Sequence, residues 1–184
     1  MRLSAIASQP KHRSEMVVNV KFDFEWHHAQ SPDEIHALIA MIFRSIRSER
    51  LVDGRHWAPG DNASFMISDK FHGNFTDVPD NLLLVAVNND TGFGALIWCV
   101  RATHPAPSEV RRHIWMSDNP SPPVFDPRVV ADPGESAFHD RRNALPVAKV
   151  REVVEEFCRV GTGDRPELIN WVRGGLDGVR LDAD

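Results

Sequence analysis

The sequence predicts an α+β fold: an antiparallel β-sheet of about five or six strands with two amphipathic helices packed on one face. Three observations carry this reading. Residues 16–26, MVVNVKFDFEW, alternate apolar and polar side chains with period two, the mark of a strand with one covered and one wet face. Ile35, Leu38, Ile39, Ile42, Phe43 and Ile46 recur at helical spacing, as do Val147, Val150, Val153, Val154 and Phe157. LLLVAV (82–87) and GALIWCV (94–100) are joined by NNDTGF, a turn rich in Asn, Asp and Gly. Strands joined by hairpins, with helices to cover them, give an antiparallel sheet buried on its helical side.

The elements follow in order. Residues 1–15 are polar and unpatterned and read as a disordered leader. In the alternating strand, Val18, Val20, Phe22, Phe24 and Trp26 share one face. Ser31 is an N-cap, Pro32 fits the first helical position and Glu34 completes a capping box, so the first helix runs over about 32–48. Residues 51–81 mix turn residues with short apolar pieces, of which ASFMIS (63–68) reads as a strand. The hairpin over 82–100 supplies central strands, because both runs are nearly continuously apolar. HIWMS (113–117) adds another.

Residues 118–144 are rich in proline and read as a long ordered loop, with one edge strand at PVFD (123–126). The second helix then begins near Val147 and stops at Gly161 and Gly163. ELINWV (167–172) reads as a strand returning to the sheet, and residues 173–184 as a tail. Residues 16–172 thus form a single α+β domain.

Composition narrows the function. The chain has 184 residues, a net charge of −5 and 42% hydrophobic residues, enough for a real core without a metal or disulfide staple. Mild acidity argues against direct nucleic-acid binding and suits a basic partner. Cys99 and Cys158 both sit in apolar stretches and read as reduced core thiols. No apolar run is long enough for a membrane span and residues 1–15 lack a signal-peptide core, so the expected location is the cytoplasm.

Catalytic equipment is not legible. Nine histidines include the pair His27–His28, which on a strand point to opposite faces and do not share an ion. No CxxC, no histidine pair at helical ligand spacing, no GxSxG and no phosphate loop occur. No catalytic residue, metal or cofactor is therefore expected. Trp98, Trp115 and Trp171 fall on predicted strands; each either packs in the core or anchors a partner from the helix-free face.

The order of a GALIW strand, the segment WMSDNP, a proline-rich loop and LPVAKVREVVEEF followed by G, RP and W resembles the immunity proteins of bacterial polymorphic toxin systems. Within that classification it is similar to the family numbered one. The resemblance covers about residues 30–171 and is most specific at Leu145–Trp171. Asn170 stands where members often carry an acidic residue, and the leader is longer than usual.

The resemblance implies a cytoplasmic antidote, not an enzyme. It would bind a cognate toxin domain one to one and occlude its active site. The family's partners include nucleic-acid-modifying toxins such as deaminases. An acidic inhibitor would be steered into a basic substrate cleft. The candidate contacts are acidic and aromatic residues at strand ends and loops: Asp90, Trp115, Asp118, Asn119, Glu167 and Trp171. For Asp90, Asp118 and Asn119 the competing reading is a turn-forming side chain. Two other classes stand beside this one. One is a small ligand-binding or hydrolase domain whose pocket lies between the sheet and loop 118–144, with His113, His139 and Asp126 converging. The other is a structural interaction module without a toxin partner.

Overall fold

A computed structural model describes residues 16–74 and 76–181. The leader expected over 1–15 lies outside the described residues. In chain order the elements are β1 (Val17–Phe22), β2 (Glu25–Ala29), α1 (Pro32–Ser45), β3 (Arg50–Val52), β4 (His56–Ala58), β5 (Asn62–Ser68), β6 (Asn81–Asn88) and β7 (Phe93–Val100). There follow α2 (Ser108–Arg111), β8 (Ile114–Asp118), β9 (Val130–Asp132), β10 (Ala137–Phe138), β11 (Leu145–Pro146), α3 (Val147–Val160) and β12 (Asn170–Gly174).

The main sheet has eight strands, not five or six. Its path runs β12-β8-β7-β6-β5-β1-β2, with β11 also paired to β7, and every pairing is antiparallel. One added strand comes from the opening segment, which is a hairpin and not one strand. Asp23 and Phe24 take positive φ of 47° and 64°, and Phe22 pairs with Glu25 across them. This is the geometry that turns a chain back in two residues. Phe24 therefore points into solvent at 92% exposure and does not join Val20 on the covered face. Neither Asn nor Gly signals the turn; an ion pair from Asp23 to Arg47 at 3.0 Å helps hold it.

Alternation places the core. Val18, Val20, Phe22, Ala63, Phe65, Ile67, Leu83, Val85, Val87, Leu96 and Trp98 face one side of the sheet. Leu38, Ile39, Ile42 and Phe43 of α1 and Val150, Val153, Val154 and Phe157 of α3 pack on that same side. The two helices also touch each other. Ser31 caps α1 with the expected reciprocal pair: its hydroxyl accepts from the Glu34 amide at 3.3 Å and its amide donates to the Glu34 carboxylate at 3.0 Å. The helix ends at Ser45, earlier than residue 48. Gly94 lets α3 and β6 approach closely, since a Cβ there would lie 2.6 Å from the Ala86 carbonyl and 3.2 Å from Val150 Cγ2.

The opposite face is covered in part by the proline-rich segment. Val129 and Val130 pack on Ala86 and Ala95 together with Ala144. The strands in this segment are β9 and β10, which pair with each other. Residues 123–126 are not a strand: Phe125 sits edge-on to Phe93 and Arg141 donates to the Pro123 carbonyl at 2.8 Å. Residues 173–181, read as tail, are hydrogen-bonded to the sheet edge. Arg173 and Gly174 complete β12, and the Leu181 amide returns to the Arg173 carbonyl at 2.9 Å. Arg180 is pinned to Asp118 at 3.0 Å.

Candidate functional site

The site grows from the stretch between α3 and β12. Gly161, at φ 70°, ends α3 in the left-handed conformation. Gly163 follows at φ 78°. The Glu156 carboxylate then accepts the amides of Glu167 and Leu168, both at 3.1 Å. Those amides are thereby taken out of any sheet ladder, so the strand predicted over 167–172 begins only at Asn170.

Three tryptophans tie this stretch and α2 to the sheet. Each indole N–H donates to a backbone carbonyl: Trp98 to Gly163 at 3.0 Å and Trp171 to Pro166 at 2.7 Å in the stretch itself, and Trp115 to Val110 of α2 at 2.9 Å. All three lie on the helix-covered side, Trp98 fully buried and Trp115 and Trp171 partly so. None is presented from the helix-free face. Arg165 lays its guanidinium over the Trp115 ring, 4.1 Å from the centroid, and stands 6.0 Å from that of Trp98.

Residues 164–170 form a ridge between two hollows. One, of about 520 Å³, lies between this ridge, Trp98 and the start of α2 with the two residues before it, Ala106 and Pro107. The other, of about 400 Å³, lies between it, Asp118–Pro120 and Leu145–Lys149. Glu167, Ile169 and Asn170 line both. Leu168 is 49% exposed on the ridge, and Asp164 and Glu167 flank Arg165 as exposed carboxylates.

The six sequence candidates divide. Asp118, Asn119 and Glu167 border the smaller hollow, and Glu167 and Trp171 the larger one. Trp115 lies beneath Arg165. Asp90 lines neither hollow and sits exposed in the β6–β7 turn. Asp118 is held in the ion pair with Arg180, and Asn119 is buried in a turn, donating to the Ala144 carbonyl at 2.6 Å and accepting from the Ser121 amide at 2.9 Å. Arg165, Leu168 and Asp164 lie outside the sequence candidates. The arginine had a signal, the RP pair in the resembling motif; the leucine was hidden inside an assumed strand.

Ser68, His72 and Asp77 resemble a catalytic set but serve as a knot. His72 Nε2 lies 3.1 Å from Ser68 Oγ, and His72 Nδ1 lies 3.9 Å from the Asp77 carboxylate. The hydroxyl, however, lies 2.7 Å from the Lys70 carbonyl, to which it donates, and it accepts from Asn19 Nδ2 and the Lys70 amide. One hydroxyl hydrogen and two lone pairs are thus committed to closing the loop after β5. Buried Asn19 completes the knot by accepting from the His72 amide at 2.9 Å.

His113, His139 and Asp126 do not converge; no hydrogen bond or ion pair joins any two of them. His113 sits edge-on to Trp115, Asp126 accepts from the Arg128 amide, and His139 is buried with an unpartnered Nδ1. Burial pushes both cysteine thiols up, Cys158 further than Cys99, which makes them poor nucleophiles. Among the described residues no group of three His, Cys, Asp or Glu is placed to hold a metal ion. No helix among them is long and apolar enough to cross a membrane.

Burial holds the His139 imidazole down at about 4, against an ordinary value of 6.5. Between those values the unfolded chain binds a proton that the folded chain refuses. Stability is then full above pH 6.5 and falls as the pH drops toward 4, by up to about 3 kcal/mol. Urea melts at pH 7 and pH 4.5 should show that loss, and His139→Gln should remove the part of it due to this ring.

An α+β domain whose ridge joins stacked aromatics, a guanidinium and exposed carboxylates between two hollows has the surface of a recognition protein. The family model described as Immunity protein Imm1 matches residues 25–173. The chain belongs to that family of immunity proteins, and the match runs from β2 at one sheet edge to β12 at the other. Comparison with curated proteins gave no match, and comparison with solved structures gave none.

Proposed function

We propose that this chain is the cytoplasmic antidote of a nucleic-acid-targeting toxin such as a deaminase or a nuclease. It binds the toxin domain one to one and occludes the active site through the ridge 164–171. The observation that carries this reading is the ridge itself. Its exposed Leu168 offers an apolar anchor between two hollows, and Asp164 and Glu167 beside it offer charge to a basic substrate cleft. The net charge of −5 favours approach to such a cleft.

The test is co-expression with the toxin domain encoded beside this chain's gene, reading survival and affinity. The expected result is rescue with a Kd in the nanomolar range or tighter, about −12 kcal/mol. The double substitution Glu167→Lys with Leu168→Asp touches only exposed side chains. It should weaken binding about 100-fold or more while leaving the melting temperature near that of the parent. Full affinity in that variant would place the interface elsewhere. Absence of both rescue and binding by the parent would overturn the antidote reading.

A further inference from the structure

The corner beside the larger hollow holds an excess of buried donors. The Arg165 side chain makes no hydrogen bond or ion pair with any described residue, and its Nη1 is buried without a partner. Two more buried N–H groups nearby lack acceptors: Arg111 Nε and His104 Nε2. His104 Nδ1 accepts the Ala106 amide at 3.2 Å, which places the neutral ring's hydrogen on Nε2. The Asp164 carboxylate is 4.0 Å from that nitrogen, beyond hydrogen-bond reach. His104 packs edge-on against Trp98, whose ring also faces Arg165.

A cation in this setting is costly unless it gains an acceptor. Burial already disfavours the charged form of Arg165, while the Trp115 ring returns only part of the lost hydration. The guanidinium is also held in place by stacking, so a planar, two-oxygen acceptor meets a preorganised fork. The hollow of about 520 Å³ that Arg165 lines has room for an acidic side chain and its neighbours. Its rim is acidic, with Asp164 and Glu167 on either side of Arg165 in sequence.

We infer that the larger hollow is a receptor for a carboxylate side chain of the toxin domain, bound by Arg165. The segment that supplies it carries an Asp or Glu flanked by Lys or Arg. The carboxylate pairs with Arg165 and the flanking cations meet Asp164 and Glu167. A uniformly basic segment would leave Arg165 unpaired against it, so this arrangement selects one toxin among basic ones. The inference rests on the antidote reading and names the chemistry of its contact.

The experiment titrates the catalytically inactivated, neighbour-encoded toxin domain into the full chain by calorimetry. Arg165→Met keeps the stack on Trp115 and removes the charge; Arg165→Lys keeps the charge and removes the planar fork. The expected result is binding weaker by about 30-fold or more for the Met variant and at least about fivefold for the Lys variant. A Met variant that melts far below the parent is set aside, and the Lys variant decides. Parent-like affinity in a folded Met variant, or in the deciding Lys variant, overturns the carboxylate receptor and leaves the antidote reading standing. No binding by the parent itself overturns the antidote reading, and the receptor falls with it.

Discussion

Trp98→Ala is expected to destabilise the fold by about 4 kcal/mol, near the upper end for a large-to-small core change. Trp98 is fully buried on β7, directly opposite Trp115 across the β7–β8 ladder. Removing the indole opens a cavity where β7, the His104 ring and the loop after α3 meet. It also strips the Gly163 carbonyl of its donor at 3.0 Å, and a buried acceptor without a partner adds its own cost. The consequence extends to the ridge, because Gly163 leads directly into Asp164 and Arg165. Urea denaturation should show a lower midpoint with an unchanged slope. Trp98→Phe, which fills much of the volume but lacks the N–H, should fall between the two. A loss below about 1 kcal/mol would mean that the ring is not the keystone of this corner.

Asp118→Ala is expected to cost about 2 to 4 kcal/mol, through the loss of a charged acceptor from a buried arginine. Arg180 is 6% exposed at its side chain and reaches Asp118 with both terminal nitrogens at 3.0 Å; it also donates to Asn143 Oδ1 at 3.1 Å. Deleting the carboxylate takes a charged, two-nitrogen contact from a buried guanidinium. The double variant Asp118→Ala with Arg180→Met should recover part of the loss, since it removes both charges. Thermal melts of the two single variants and the double variant check this. An Asp118→Ala melt within a few degrees of the parent would reduce the pair to a surface contact. The prediction also bears on function. Asp118 was a candidate toxin contact, and a binding loss in its alanine variant would report unfolding as readily as a missing contact. Glu167 and Leu168, whose side chains are exposed, give the cleaner probe of the interface.

The α+β class and the helix-covered sheet were legible because they rest on local periodicity. Val18 and Val20 on β1, Ile39 and Ile42 on α1 and Val150 and Phe157 on α3 all reach the core where their spacing put them. The family resemblance was legible too, and its densest part, Leu145–Trp171, contains the ridge. The opening hairpin was not legible. Asp-Phe is a poor turn pair by composition, and the alternation of residues 16–26 continues through it. The strand count suffered for that reason.

The site was legible only in outline. Tryptophan at 115 and 171 and the acidic residue at 167 were found from type and position. Their roles were not, because each is set by a partner distant in sequence. Arg180 lies 62 residues from Asp118, and Arg165 stacks on the Trp115 ring of β8. Asp118 could equally have been a free interface carboxylate.

The sequence by itself determined the class of fold, the covered face of the sheet and the family, because hydrophobic periodicity and an ordered motif are properties of neighbouring residues. Only the tertiary structure decided that residues 173–181 line the sheet edge and that Asp118 holds a buried arginine. It alone placed Arg165 among tryptophans with its donors unspent. The physical reason is that burial and charge pairing are settled by which distant segments meet, and desolvation assigns each polar group its cost only once they do.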